Sequence, residues 1–283
     1  MDPGFDFHAT LRRFLEQIPD NWITTPRHLA LALGDPVAER AVKEALDRKE
    51  LGALASKVTE KADPQGRIFT AFDSDKPLRR LAELQRTMAE RIILEDSPGD
   101  IHSVAGVDAA YSGDEAYAVC VVMDSEDNVT ESRSAITNTP FPYIPGYLAF
   151  REAPVILSAT RKASGFDVLL VNGHGVAHPR GCGLATFVGL ELDVPTIGVA
   201  RRMLVGDVEA EGDHWAPIVF EGVVVGAEIR DLGKAPVYVS TGHRMSLESS
   251  VEIVRGLRVK GGMPEPLRLA HMKAEEERRR ARL

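Results

Sequence analysis

The chain has 283 residues, of which 44% are hydrophobic and 27% are charged, and its formal net charge is −8. This composition indicates a globular protein with one large and one small domain, and it excludes the disordered and fibrous classes. The acidic charge argues against binding of nucleic acid through the overall field, although local Lys and Arg clusters can still hold phosphates.

Membrane segments and cysteines add two further exclusions. No apolar run approaches the roughly 20 residues that cross a bilayer, and the N-terminus lacks the residue order of a signal peptide. We therefore expect a cytoplasmic protein with no membrane partner. Cys120 and Cys182 lie in apolar segments without a metal-ligand spacing, so we expect reduced core thiols rather than a disulfide framework or a zinc site.

Residues 1–56 predict a small helical domain. Apolar positions recur at helical spacing in 7–18 and again in 37–48. Between these segments, Thr24-Thr25-Pro26 offers a cap and a first-turn proline for another short helix. Residues 57–76 are irregular and polar, so we predict that they form a linker to the rest of the chain.

Residues 77–260 predict the main domain, in which strands come first and helices then alternate with strands. After an amphipathic helix at 78–94, three segments alternate in the manner of antiparallel strands, at 103–111, 116–124 and 129–137. Two later apolar runs, 168–171 and 196–200, are typical of buried strands. This order predicts an α/β fold whose mixed sheet is flanked by helices, which resembles the plan of RNase H-like nucleases.

The C-terminal residues 261–283 form a separate, strongly charged segment that ends in AEEERRRARL. A run of alternating charges at helical spacing is typical of a solvated helix face. We therefore predict a charged helical tail outside the main domain.

Polar residues in the strands, helices and loops of the main domain are candidates for a functional site. Asp108 lies in the first strand, where a carboxylate is costly to bury unless a cation or a donor compensates it. Asn172 directly follows a buried strand, where open sheets usually bind their ligands. Taken singly, Glu152 fits a helix-surface acid, and His174 and His178 fit satisfied structural imidazoles.

Taken together, five segments resemble the endonuclease V family over residues 78–258. In chain order they are VAGVDAAYSG, PFPYIPGYLAFREAP, VNGHGVAHPRGCGLATFVG, VPTIGVARRMLVG and PVYVSTGHRMSLESSVEIV. The resemblance implies a DNA-repair endonuclease that recognises deoxyinosine or other deaminated bases in DNA. It further implies hydrolysis of a phosphodiester bond on the 3′ side of the lesion, with Mg²⁺ or Mn²⁺ as cofactor.

By position, the resemblance assigns Asp108, Glu152 and Asn172 to the metal site and His243 to the histidine that completes it. Hard divalent cations bind carboxylate oxygens and can activate water for an in-line displacement. The family pattern has aspartate where this chain has Asn172, whose neutral carbonyl binds magnesium less strongly. Asp167 cannot substitute, since five positions along a strand point it to the opposite face. We therefore predict a weakened metal site.

The resemblance also implies a lesion-binding surface. Tyr143, on a proline-stiffened loop, matches an aromatic wedge that fills the gap left by an everted base. Arg201 stands where the family has lysine, and a cation there can still hold the cleaved phosphate. The other implied substrate-binding residues are Ile144, Pro145, Leu148, Gly173, His178, Gly183 and Leu184.

A second resemblance concerns the N-terminal domain. Residues 15–26 and 37–42 are similar to the winged-helix DNA-binding part of alkylguanine-DNA alkyltransferases, which implies a DNA contact by Arg40. Pro26 replaces a tyrosine that assists nucleotide flipping in that family, and the alkyl-accepting cysteine motif is absent. Residues 1–60 contain eight Lys or Arg and ten Asp or Glu, so a protein-interaction or stabilising role stays open beside DNA binding.

Three functions remain open from the sequence alone. The first is a monomeric, metal-dependent endonuclease that acts on deaminated purines in DNA. The second is a catalytically silent protein that binds inosine without cutting, which Asn172 favours. The third is an inosine-directed ribonuclease of the same fold, which the predicted DNA-binding domain disfavours.

Overall fold

The computed structural model describes residues 5–60, 67–97, 99–209, 214–231, 233–259 and 262–281. The chain divides into two compact units. The first contains Met1–Leu84 and Pro140–Arg151, and the second contains Gln85–Thr139 and Glu152–Leu283. The first unit thus includes a segment from the middle of the chain, which the predicted boundaries at 56, 76 and 260 did not anticipate. Within the described ranges, every helix is too short or too polar to cross a membrane.

The first unit is mainly helical, as predicted. Its N-terminal helices are α1 (Phe7–Glu16), α2 (Pro26–Leu33) and α3 (Glu39–Leu46), with 3-10 helices at Pro36–Ala38 and Lys49–Lys57. The Thr25 side chain accepts a hydrogen bond from the backbone nitrogen of His28 and caps α2. Gly34 ends α2 at a φ of 103°, a conformation that glycine adopts without steric cost.

The predicted linker at 57–76 is instead part of the first unit wherever it is described. Isolated parallel bridges pair Thr24 with Val58 and Ile23 with Ile68. The ring of Phe72 lies 5.6 Å from that of Phe14 in α1. The prediction of a linker was wrong because polar composition hid the few apolar side chains that bind this segment to the helices.

The described residues of the second unit contain a nine-stranded mixed sheet, which confirms the predicted fold class. The strand order is β3-β2-β1-β4-β5-β9-β8-β7-β6. β1, β4 and β5 run parallel to one another, and the remaining pairs are antiparallel. The strands are β1 (Ser103–Ser112), β2 (Glu115–Asp124), β3 (Val129–Asn138), β4 (Val168–Asn172), β5 (Thr196–Ala200), β6 (Asp207–Val208), β7 (Trp215–Phe220), β8 (Val223–Ile229) and β9 (Val237–His243).

The described residues contain five further helices, two of which carry residues of both units. They are α4 (Pro77–Ala89), α5 (Leu148–Thr160), α6 (Leu184–Leu192), α7 (Leu247–Gly256) and α8 (Glu265–Arg280). The apolar runs of the central strands supply the core of the second unit, since β4 and β5 are buried along almost their whole length.

Helix α8 overturns the prediction of a solvated tail at 261–283. Its apolar residues Leu267, Ala270 and Ala274 are buried in core clusters with residues of the sheet. Gly106 of β1 permits this close approach, because a Cβ atom there would lie 2.6 Å from the backbone nitrogen of Leu267. The charged residues of α8 lie on its outer faces. A prediction from composition therefore missed the row of apolar residues that packs on the sheet.

Candidate active site

Asp108, midway along β1, meets Asn172 at the carboxyl end of the parallel strand β4. The register pairs Val107 of β1 with Val171 of β4, so the next residue of each strand reaches the same edge of the sheet. The Asn172 side-chain nitrogen donates a hydrogen bond of 2.9 Å to Asp108 Oδ1. The structure thus brings together two of the predicted site residues, and it buries Asp108.

His271 of α8 is a third member of this group and was missed from the sequence. Its Nδ1 lies 2.7 Å from Asp108 Oδ2. Because an ionised carboxylate can only accept, Nδ1 donates its proton to Asp108, and this hydrogen bond raises the pKa of His271. One signal in the sequence could have found it. Leu267, Ala270 and Ala274 recur at helical spacing, which indicates a buried helix face, and His271 borders that face.

His243, the predicted catalytic histidine, does not join the group. β9 pairs His243 with Thr196, the first residue of β5, whereas Asn172 lies beside the other end of β5. The two side chains are therefore about 10 Å apart along the strands and two strand spacings apart across the sheet. His243 Nδ1 accepts a hydrogen bond from the Ile93 nitrogen, and Nε2 lies 3.3 Å from Asp193 Oδ1. His243 therefore connects β9 to the segments that contain Ile93 and Asp193.

Hydrogen-bond donors surround the Asp108 carboxylate. Oδ1 accepts from Asn172 and from the Ala109 nitrogen, at 2.9 and 2.8 Å, and Oδ2 accepts from His271. A carboxylate offers about four lone-pair sites, so about one remains for a cation. Asn172 must direct its NH₂ group at the carboxylate, which turns its carbonyl oxygen, the atom that can bind a cation, away from Asp108.

The residues in this arrangement therefore do not fit a divalent cation. In the described part of the chain, no three His, Cys, Asp or Glu side chains come together as a metal-binding group. Glu152, the predicted third ligand, is half-buried in α5. Asp167 directly precedes β4, at the end opposite to Asn172, and it accepts hydrogen bonds from the His102 and Ser103 nitrogens.

The loop after β4 packs tightly against α6. A Cβ atom at Gly173 would lie 3.2 Å from the side chain of Leu184, which is itself buried. Gly183 is the N-cap residue of α6. His178 is buried, and its Nδ1 accepts a hydrogen bond of 3.1 Å from the Arg180 nitrogen. As placed, Leu184 and His178 support the loop and offer little surface to a ligand.

Arg201 follows the last residue of β5 and is exposed at the same edge as Asn172. Its positive charge opposes the rise in the pKa of His271. An exposed cation beside a histidine that can hold a proton is an arrangement that suits a phosphate group.

The remaining predicted residues lie in the first unit. We call residues Pro140–Arg151 the wedge segment. Its Tyr143 ring is 53% exposed, and Pro145 is exposed while Leu148 is half-buried. Ile144 is fully buried and anchors the segment, so its predicted contact with substrate is not supported. Arg40 of α3 has an 80% exposed side chain and forms an ion pair with Glu44.

Burial of His174, in the loop after β4, predicts a dependence of stability on pH. Desolvation lowers its pKa from 6.5 to about 4. Between these values the unfolded chain binds more protons than the folded chain, so stability falls as the pH falls. We expect the free energy of unfolding to drop by up to about 3 kcal/mol across this window. Urea unfolding of the wild type and of His174→Gln at several pH values measures it, and equal pH slopes for the two proteins would contradict the prediction.

Comparisons with known proteins give consistent matches over the second unit. The family model for Endonuclease V matches residues 86–272. The curated endonuclease V of Methanopyrus kandleri is 48% identical over 196 residues, which cover 67% of this chain and 84% of the relative. The matched region includes Asp108, Asn172 and His271, and it leaves out residues 1–85.

Solved structures agree with this match. Endonuclease V from Streptomyces avermitilis superposes with a TM-score of 0.68 at 33% identity, covering 72% of this chain and 94% of that one. Endonuclease V from Ciona intestinalis, solved in complex with a 24mer DNA containing an inosine followed by a ribo-adenosine, superposes with a TM-score of 0.65 at 25% identity. It covers 73% of this chain and 100% of that one.

Proposed function

Because the chain belongs to the endonuclease V family, we propose that it is a DNA-repair enzyme that recognises deoxyinosine and cuts on the 3′ side of the lesion. As a member of this family, the chain is an endonuclease, a hydrolase of phosphodiester bonds. The observation that carries the proposal is the group formed by Asp108, Asn172 and His271 at one edge of the sheet, inside the matched region. The inosine-containing DNA bound by the Ciona intestinalis relative supports the choice of lesion.

The group suggests a role for each side chain. Asp108 orients the imidazole of His271 through Nδ1, which leaves Nε2 to donate a proton to a phosphodiester oxygen or to the leaving oxygen. Arg201, at the same edge, holds the phosphate. In the second unit, we assign Gly173 and Gly183 to the surroundings of the everted base. In the first unit, we assign Tyr143 to the aromatic wedge, with Pro145 and Leu148 beside it.

Mg²⁺, or Mn²⁺ in its place, is the cofactor that the resemblance predicts, and no step above depends on it. To bind a cation, Asn172 must rotate its amide so that the carbonyl oxygen replaces the NH₂ group. Asp108 then loses a hydrogen bond that the structure contains. Metal dependence, a monomeric state and a cytoplasmic location remain predictions.

A second candidate function is selective binding of inosine without cleavage. The hydrogen bond from Asn172 to Asp108 favours it, because a neutral donor occupies the position where a metal-binding carboxylate is expected. Such a protein would mark a lesion and leave the cut to another enzyme.

A cleavage assay separates these functions. A labelled duplex with one deoxyinosine, a matched duplex with deoxyadenosine and an inosine-containing RNA are incubated with the full chain in Mg²⁺ and in Mn²⁺. We expect product only from the deoxyinosine duplex, with the cut on the 3′ side. Selective binding without product supports the second candidate, and product from RNA alone identifies a ribonuclease. Equal binding of all three substrates without product refutes the proposal.

A further inference from the structure

The wedge segment is fastened to the N-terminal helices by one carboxylate. Tyr147 is fully buried, and its hydroxyl donates a hydrogen bond of 2.7 Å to Asp35 Oδ2. The other oxygen of Asp35 accepts a hydrogen bond of 3.0 Å from the Val37 nitrogen, at the start of the 3-10 helix that leads into α3. Asp35 therefore connects the wedge segment to the helix that carries Arg40.

Aromatic packing fixes the same segment from its other side. The ring of Phe141 lies 6.0 Å from Phe5 and 6.2 Å from Phe150. The Arg151 guanidinium donates a hydrogen bond of 2.5 Å to the carbonyl oxygen of Phe141. Both ends of the wedge segment are thus held within the first unit, while the Tyr143 ring between them stays exposed.

Arg40 lies in α3, which follows the 3-10 helix that Asp35 joins to the wedge segment. Its Nε donates a hydrogen bond of 2.8 Å to Glu44, and this bond raises the pKa of the guanidinium, with a smaller contribution from the Tyr143 phenol. The ion pair with Glu44 is exposed on both sides, so it is weak and Arg40 can exchange it for a phosphate. Proteins bind single strands with aromatic rings that stack on the bases and with cations that bind the phosphates. Tyr143 and Arg40 offer these two groups.

We propose that the N-terminal helices hold the wedge segment in position, and that Tyr143 and Arg40 contact the same inosine-containing DNA strand. Tyr143 stacks against the bases, and Arg40 binds the adjacent backbone phosphate. Tyr147 and Asp35 are positioning residues that keep the ring at a fixed angle. The inference rests on the proposed function, since it takes Tyr143 as the side chain that fills the space of the everted base.

Equilibrium binding by the full chain tests the proposal. The probe is a deoxyinosine duplex with 2-aminopurine next to the lesion, in EDTA so that no cleavage occurs. Arg40→Ala should lower the slope of log affinity against log salt by about 1, because one phosphate contact is lost. Arg40→Lys should keep the slope. Tyr147→Phe should reduce the fluorescence rise that reports base unstacking and should leave the salt slope unchanged.

A matched control exists in the second unit. The Tyr117 hydroxyl donates a hydrogen bond of 2.7 Å to Glu115, and the ring is likewise buried. Tyr117→Phe should therefore change neither readout. If wild type prefers inosine but Arg40→Ala and Tyr147→Phe behave like wild type, the inference is wrong and the proposed function stands. If wild type itself shows no preference for inosine, the proposed function fails. Arg40 is exposed, so Arg40→Ala remains decisive even where Tyr147→Phe unfolds.

Discussion

Asn172→Asp is expected to bind Mn²⁺ at least about tenfold more tightly than the wild type and to cut deoxyinosine DNA faster. The reason lies in the hydrogen bond that joins Asn172 to Asp108. An aspartate cannot donate it, so two carboxylates would face each other at this edge, and a divalent cation would relieve their repulsion. Titration followed by the Mn²⁺ electron paramagnetic resonance signal measures affinity, and single-turnover cleavage measures activity.

The chain offers a matched control for this substitution. Asn128 also donates its side-chain amide to an aspartate, Asp124, but does so in an exposed turn between β2 and β3. Asn128→Asp should gain neither affinity nor activity. In EDTA we expect Asn172→Asp to melt at a lower temperature than wild type and to recover on addition of Mn²⁺. Equal Mn²⁺ affinity for wild type and Asn172→Asp would show that the hydrogen bond does not limit metal binding.

His271→Ala is expected to lower the single-turnover cleavage rate by about a hundredfold or more, which is the usual contribution of a positioned proton donor. The variant removes the imidazole that Asp108 holds at 2.7 Å. Because the His271 side chain is 59% exposed, truncation should leave the fold and the affinity for DNA nearly unchanged. The loss therefore falls on the rate and not on binding.

His243→Gln is the informative comparison, since this residue is the histidine that motif matching selected. Its position at the opposite end of β5 predicts a rate within a few-fold of wild type, with lower thermal stability because its hydrogen bonds to Ile93 and Asp193 are disturbed. A larger loss of rate from His243→Gln than from His271→Ala would reverse the assignment. Where the wild type does not cut, the comparison is made in the Asn172→Asp background.

The sequence was sufficient to predict the sheet and one edge of its site. The apolar runs of β4 and β5 and the alternation of β1 predict a mixed sheet, and parallel strands bring their carboxyl ends to one side. Asn172 follows from that rule, because it ends the buried run of β4, whereas the resemblance to the endonuclease V family selected Asp108, which lies midway along β1.

The contacts that sequence patterns missed join residues far apart along the chain. His271 reaches Asp108 across 163 positions, and it does so only because α8 packs on β1. Tyr147 reaches Asp35 across 112 positions, which no local pattern in the wedge segment encodes. In both cases the contact forms because a few apolar residues are buried in the tertiary structure. These residues lie in charged or polar segments, so the composition of the segment does not reveal them.

Helix α8, which docks over Gly106, follows every strand of the sheet in the chain. The His271 contact of the site is therefore the last to be synthesised during translation. A ribosome-bound chain that has emerged only through β9 already carries Asp108 and Asn172, but it lacks the histidine for Asp108 Oδ2. Since a domain generally folds as a unit, the imidazole reaches Asp108 only when α8 is present to cover β1. An unfinished polypeptide therefore carries an incomplete group, and the group of three forms only after the surrounding sheet has been synthesised.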